Sequence, residues 1–322
     1  MSATPTPPAP VPPHCSTPAF RGRIGGDANS GYYAVPRRYR LHLALSCPRG
    51  LRIAITHSLL GLDEAVPVTL VPATPDRPDG GHTALRRLYE ASAHRHPGPA
   101  AAPVLSDDWT GRIVSTHTPD ILRDLARHFG DDRPGGPVLY PQGREAEVEA
   151  VAHLCAHRID EAAQHAGRAD ADTDTASRRA ALATLFRTLG SLEGRLAFQE
   201  FVLGDELTAA DVQLWVTLVQ LDTVHRLHLD AAAVHRIAGH PHLWAYARRL
   251  AAHPAFGAHL DVESITRRHH AHCEGLEAAG AAVQILDWAV HVADGAKRAA
   301  QETSAGFMEP QYALHLRPSG PA

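Results

Sequence analysis

The sequence predicts an α/β unit over about the first 135 residues, followed by an all-helical half. Three observations predict it. A strand-like alternation over residues 39–45 breaks at Ser46-Cys47-Pro48 and resumes with helical spacing. Two short runs, 103–105 and 112–115, flank a polar turn containing Gly111. From Glu145 onward the apolar periodicity is that of helices alone.

Residues 1–19 are rich in Pro, Ala and Thr and carry neither a basic n-region nor an apolar h-region, so they read as a disordered tail rather than a signal peptide. Residues 20–38, with their Gly, Asn and Arg, predict an ordered loop. In 39–45, Leu41, Leu43 and Leu45 share one face of a strand. Pro48 suits the first turn of the helix that follows, where its missing N–H has no intrahelical partner. Residues 66–71 predict a second strand, 72–82 (PATPDRPDGGH) a loop and 85–93 a short helix. The runs 103–105 and 112–115 predict a hairpin turning at 107–111, and Thr118-Pro119-Asp120 caps a helix reaching Phe129. A linker follows at 131–137. Beyond it, Val148, Val151, Cys155 and Ile159 make one buried helical stripe. Residues 180–196 predict another helix, and Thr208 with Asp211 forms a capping box ahead of an apolar helix. Residues 243–250 form a helix after Pro241, and 281–293 is one more amphipathic candidate. The expected divisions are 1–19, 20–137, 138–295 and 296–322.

A chain of 322 residues can bury two cores. The net charge of −4 and pI near 6.6 give no basic footprint, so nucleic acid is not an expected partner. Lys297 is the only lysine beside abundant arginine, a codon bias rather than a binding adaptation. Cys15, Cys47, Cys155 and Cys273 have no CxxC spacing, which argues against a disulfide framework or a zinc site and fits a reducing cytoplasm. No apolar run is long enough for a bilayer. The 23 histidines include Arg267-Arg268-His269-His270-Ala271-His272-Cys273, but adjacent histidines without HExxH read as surface residues, and no metal is expected.

The chemistry turns on Cys47, which is either a working thiolate or one more small buried residue. At the start of a helix, free backbone N–H groups and the helix dipole favour an anion, and Arg49 and Arg52 add positive charge. The strand–Cys-Pro–helix context favours the thiolate. Cys155, on the buried stripe, reads as core.

The Cys-Pro helix start, together with the later LGDELTAADV, resembles the glutathione transferase superfamily. The likeness sharpens to its Xi class, the glutathionyl-hydroquinone reductases. Their "GRYHLYVSLACPWAHR" is matched from Arg38 through Pro48, and their "PVLWD…IVNNESSEI" by Pro103-Val104-Leu105-Ser106-Asp107 and the stretch from Ile113 to Ile121. "LVGDRLTEADIRLFTTLVRFD" is matched from Leu203 to Asp222, and "YPNLWGYLRDL" from His240 to Leu250. The resemblance spans about residues 20–273 in family order. It implies a thioredoxin-like domain followed by an all-α domain that also pairs two copies.

By that resemblance, Cys47 attacks a glutathionyl conjugate at sulfur, and a second thiol resolves the mixed disulfide. Pro103 is the cis-proline that lets Val104 pair with the backbone of the tripeptide. Thr118 stands where a serine holds the γ-glutamyl carboxylate, a sound anion site in its own right. The departures are equally specific. Arg49 replaces a tryptophan, Gly50-Leu51 replaces Ala-His, and His117 replaces the acid that meets the tripeptide's amine. A Gly-Trp pair is missing from the 72–82 loop. Tyrosines of the phenolic site become His225, His269 and His270, and a third aromatic stretch becomes the segment holding Gln164. An imidazole in place of a phenol keeps a donor and brings acid/base chemistry toward neutral pH.

The expected function is therefore a cytoplasmic, homodimeric thiol-dependent oxidoreductase or transferase. Glutathione or another low-molecular-weight thiol is its cosubstrate, and a conjugate with a quinone-like or aromatic compound its substrate. Two alternatives stay open: a transferase, lyase or isomerase of specialised biosynthesis, and a non-catalytic ligand-binding member of the fold. For the dimer, the segment 214–221 and the segment 281–293 are the expected sources of apolar surface.

Overall fold

The computed structural model describes residues 20–130, 136–167, 175–273 and 284–293. Cys15, the tail, the linker at 131–135 and residues 281–283 fall outside them. The first half is built on β1 (Tyr39–Leu43), α1 (Pro48–Leu60), β2 (Val68–Leu70), α2 (Arg86–Ser92), β3 (Val104–Asp107), β4 (Arg112–Ser115) and α3 (Thr118–Phe129). The sheet order is β2-β1-β3-β4, with β1 and β2 parallel and the other pairs antiparallel. This is the thioredoxin-like arrangement. Leu41 and Leu43 are fully buried in the main core, with α1 and α3 packed together on that face. On the other face, Cys47, Val104 and Ile113 join Leu85 and Tyr89, around α2, in a second, smaller cluster. The edge strand β2 is exposed at all three positions; the burial in this stretch lies at Val66 and Val71, outside its ends.

The loop before β1 is held by a buried ion pair. Arg38 binds Asp107 through two nitrogens, at 3.0 and 3.2 Å, and donates to the Gly31 carbonyl at 3.1 Å. Its guanidinium lies over Tyr33 and Trp109, 4.7 and 4.6 Å from the ring centroids. Hydrogen bonding to Asp107 drives its pKa still higher, against burial.

The second half is helical throughout. It runs through α4 (Glu145–Leu154), a π-helical stretch (Cys155–Asp160), α5 (Glu161–Gly167), α6 (Thr175–Leu196) and α7 (Ala209–Thr223). A 3₁₀ turn (His225–His228) then leads to α8 (Ala231–Ala238), α9 (Pro241–Ala251), α10 (Pro254–Gly257) and α11 (Val262–His272). Residues 288–293 are also helical. The capping box is present in full: Thr208 and Asp211 close the start of α7 reciprocally. Asp211 also accepts from the Val202 N–H and the Tyr246 hydroxyl.

Sequence reasoning gave α7 a share of a dimer surface, and the structure corrects this. All of α7 except Gln213 is buried inside the protomer, covered by α1, α4 and α9. A helix apolar all round needs cover all round, and α7 finds it within its own chain. Of the 281–293 segment, Trp288 is buried and donates to Asp222, which also accepts from the Ile285 and Leu286 N–H groups. Among the described residues no helix is long and apolar enough to cross a membrane.

Candidate active site

Cys47 is the N-cap of α1, in extended conformation, with Pro48 in the first turn. Its N–H is held by the Ala44 carbonyl at 3.1 Å, and its own carbonyl accepts from Leu51 at 2.9 Å. Gly50 makes this turn possible, because a Cβ there would collide with the Ala44 carbonyl oxygen. Only 5% of Cys47 is exposed. Burial pushes its thiol up, but Arg49, Arg268 and the backbone N–H groups of Gly50 and Arg49 outweigh it, and the thiol lies below its ordinary value. Cys155 is the contrast: burial pushes its thiol up to about 12.

Arg268 comes from α11, in the helical half. Its Nη1 donates to the Ala73 carbonyl at 3.1 Å, which also accepts the Ser46 hydroxyl at 2.5 Å. The 72–82 loop is thus tied both to the residue before Cys47 and to α11. At the end of that loop His82 is buried, its Nδ1 has no hydrogen-bond partner among the described residues, and burial and Arg268 lower its pKa. Neither Arg268 nor His82 was picked out from the sequence. The contact between Arg268 and Ala73 spans 195 residues, so no local spacing could signal it.

The remaining expected residues fall into three places. The Ala102–Pro103 bond is cis, and Val104 starts β3 fully buried. Thr118 is the first residue of α3, and its buried Oγ1 has no hydrogen-bond partner among the described residues. His117, the N-cap of α3, sets its Nδ1 2.8 Å from the Asp120 carboxylate, off-axis for a hydrogen bond. Asp120 also pairs with Arg21 at 2.8 Å and Arg23 at 3.4 Å. Arg49 is exposed beside Cys47.

The expected acceptor residues have different partners. His225 turns Nε2 toward Asp160, at 3.6 Å, where Arg52 of α1 also reaches Asp160 and Thr217. His228, three residues on, meets His269 instead, with Nε2···Nε2 at 2.9 Å. His270 and Gln164 are exposed.

The comparisons accord with this geometry. The family model "Glutathione S-transferase, C-terminal domain" matches residues 174–249. A glutathione transferase from Gordonia bronchialis is 30% identical, with a TM-score of 0.68; the match covers 78% of this chain and 81% of that one. The chain belongs to the glutathione transferase superfamily. Within it, the chain is similar to the Xi class: the glutathione-S-transferase Xi of Phanerochaete chrysosporium is 26% identical with a TM-score of 0.67, over 79% of this chain and 91% of that one. The glutathionyl-hydroquinone reductase PcpF of Sphingobium chlorophenolicum is 28% identical over 71% of this chain and 76% of its own length.

Proposed function

We propose that the chain is a thiol-dependent reductase or transferase with Cys47 as nucleophile. Its substrate would be the conjugate of a low-molecular-weight thiol with a quinone-like or aromatic compound. The observation that carries this reading is the Cys47 thiol, buried at a helix N-terminus yet held below its ordinary pKa. Similarity to a glutathionyl-hydroquinone reductase supports the substrate class, and four scattered cysteines without a CxxC spacing suit a reducing cytoplasm.

The Cys47 thiolate attacks the conjugate's sulfur and forms an S–S bond. The sulfur–aryl bond breaks, its electron pair goes to the ring carbon, and that carbon takes a proton. The hydroquinone leaves reduced and Cys47 is left in a mixed disulfide. A second thiol attacks that disulfide, restores the Cys47 thiolate and departs as the oxidised disulfide. By the family resemblance, the main chain of Val104, at the start of β3, would pair with the thiol's backbone. The Thr118 hydroxyl at the start of α3, without a hydrogen-bond partner among the described residues, supports carboxylate binding there.

One observation favours a thiol other than glutathione. His117 stands where an acid would meet the tripeptide's amine, and nearby Asp120 is already engaged by Arg21, Arg23 and His117. A mass measurement after incubation with glutathionyl-hydroquinone, and with conjugates of other thiols, tests both readings. The expected result is a mixed disulfide on Cys47 whose added mass names the thiol, together with free hydroquinone. An adduct on Cys155 or Cys273, or hydroquinone release unchanged by Cys47→Ser, would overturn the assignment.

A further inference from the structure

Three metal-binding side chains from two elements of the helical half meet on one face. His228 closes the 3₁₀ turn, and His269 and Cys273 lie four residues apart at the end of α11. His228 Nε2 is 2.9 Å from His269 Nε2 and 3.6 Å from Cys273 Sγ, and all three donor atoms lie within 4.8 Å of one another. We propose that His228, His269 and Cys273 form a binding site for a zinc-type transition-metal ion, with no fourth protein ligand among the described residues.

An imidazole nitrogen offers one in-plane position, a proton or a lone pair, so His228 Nε2 serves one partner at a time. Here it faces two. A single cation engages both nitrogens and the sulfur together. The distances are close to what such an ion requires. With Zn–N of about 2.0–2.1 Å, Zn–S of about 2.3 Å and tetrahedral angles, ligand nitrogen and sulfur stand about 3.6 Å apart and two nitrogens about 3.3 Å apart. The separation of the His228 nitrogen from the sulfur is already there, the imidazole pair has about 0.4 Å to open, and the His269 donor nitrogen lies within 4.8 Å of the sulfur. Two imidazoles and a thiolate, with no carboxylate in the group, suit zinc or its neighbours rather than magnesium or calcium. All three residues are half-buried, which leaves a path for the ion.

The backbone is set for the task. At the C-terminal end of α5, a Cβ on Gly167 would stand 2.7 Å from the His228 Cβ, so glycine there lets α5 press on the turn that carries the ligand. The His228 and His269 rings meet edge-on, with centroids 5.0 Å apart. The site departs from the sequence expectation of a metal-free chain. That expectation weighed the adjacent histidines and passed over the i, i+4 relation of His269 to Cys273 and the distant His228.

Cobalt titration of the full-length, metal-stripped protein under a phosphine reductant tests the site without any reliance on turnover, and so separately from the role of Cys47. One equivalent of Co²⁺ should bring up a thiolate-to-cobalt charge-transfer band and intense tetrahedral visible bands, both bleached by one equivalent of Zn²⁺. Cys273→Ser should abolish the charge-transfer band. His228→Ala and His269→Gln should each weaken binding beyond the about 10–100-fold that loss of an outer-shell partner costs. Cys47→Ser should leave the spectrum unchanged. Zn²⁺ should also raise the melting temperature of the wild type and not of Cys273→Ser. Absence of a saturable cobalt spectrum in the wild type would overturn the proposal. So would a band that persists in Cys273→Ser or disappears in Cys47→Ser.

Discussion

Cys47 and Cys155 are both small, buried and apolar in their surroundings, yet they differ in what faces the sulfur. Burial raises both thiols, but at Cys47 two guanidiniums and the first amides of α1 together outweigh it, whereas at Cys155 it prevails. Alkylation of Cys47 with iodoacetamide should therefore show a pH midpoint below that of a free thiol. Arg268→Ala should move the midpoint upward, because it removes one of the two cations; an unchanged midpoint would show that Arg268 does not act on the thiol. Cys47→Ser should lower turnover of a thiol conjugate by about 10³-fold or more, since the alcohol stays protonated. Cys155→Ser should instead leave turnover intact and cost about 1–3 kcal/mol in a denaturant titration, as a hydroxyl in an apolar stripe. Asp120 gives a prediction in acid. Burial raises its carboxyl, but Arg21, His117 and Arg23 more than reverse this, and its pKa lies below the usual carboxylate range. A depressed carboxyl contributes stability above its unfolded value, near about 3.9, and loses it as pH falls through that value toward the folded one. Asp120→Asn should flatten this acid limb of the stability profile, measured by urea midpoints at successive pH values.

Helix starts carry most of the legible signal at the scale of elements, because their chemistry is local. Pro48 after Cys47, Pro119 after Thr118 and Asp211 three residues past Thr208 each satisfy or avoid an orphan N–H within one turn, and each marks a helix that the structure contains. Thr208→Ala should cost about 0.5–2 kcal/mol by calorimetry, the usual worth of such a cap. Contacts between distant segments were not legible. Arg38 with Asp107, Arg268 with Ala73, and His228 with His269 join residues 69, 195 and 41 positions apart. Nothing in the neighbourhood of either partner distinguishes it from a solvated side chain. The same blindness explains α7, whose apolar run looked like spare surface and is the centre of the helical half. Of the Arg38–Asp107 pair, Asp107→Ala should destabilise by about 3–5 kcal/mol, since it leaves a buried guanidinium uncompensated.

Across the whole molecule the two halves are chemically distinct but share one core. The main apolar cluster runs without interruption from Leu41 and Ile121 of the α/β half to Leu214 and Trp288 of the helical half. Arg52 of α1 reaches Thr217 of α7 across the same boundary. Denaturation should therefore be one event. The fluorescence of Trp215, Trp244 and Trp288 reports mainly on the helical half and the alkylation of Cys47 on the other, and their urea midpoints should coincide; two separated midpoints would show that the halves melt independently. The Arg268 bridge also bears on how the protein is made. Translation delivers Cys47 and the 72–82 loop well before Arg268, which comes 195 residues after the Ala73 carbonyl it will bind. Until α11 leaves the ribosome, the thiol has Arg49 but lacks its second cation. A nascent chain without α11 thus carries a blunter nucleophile than the folded protein.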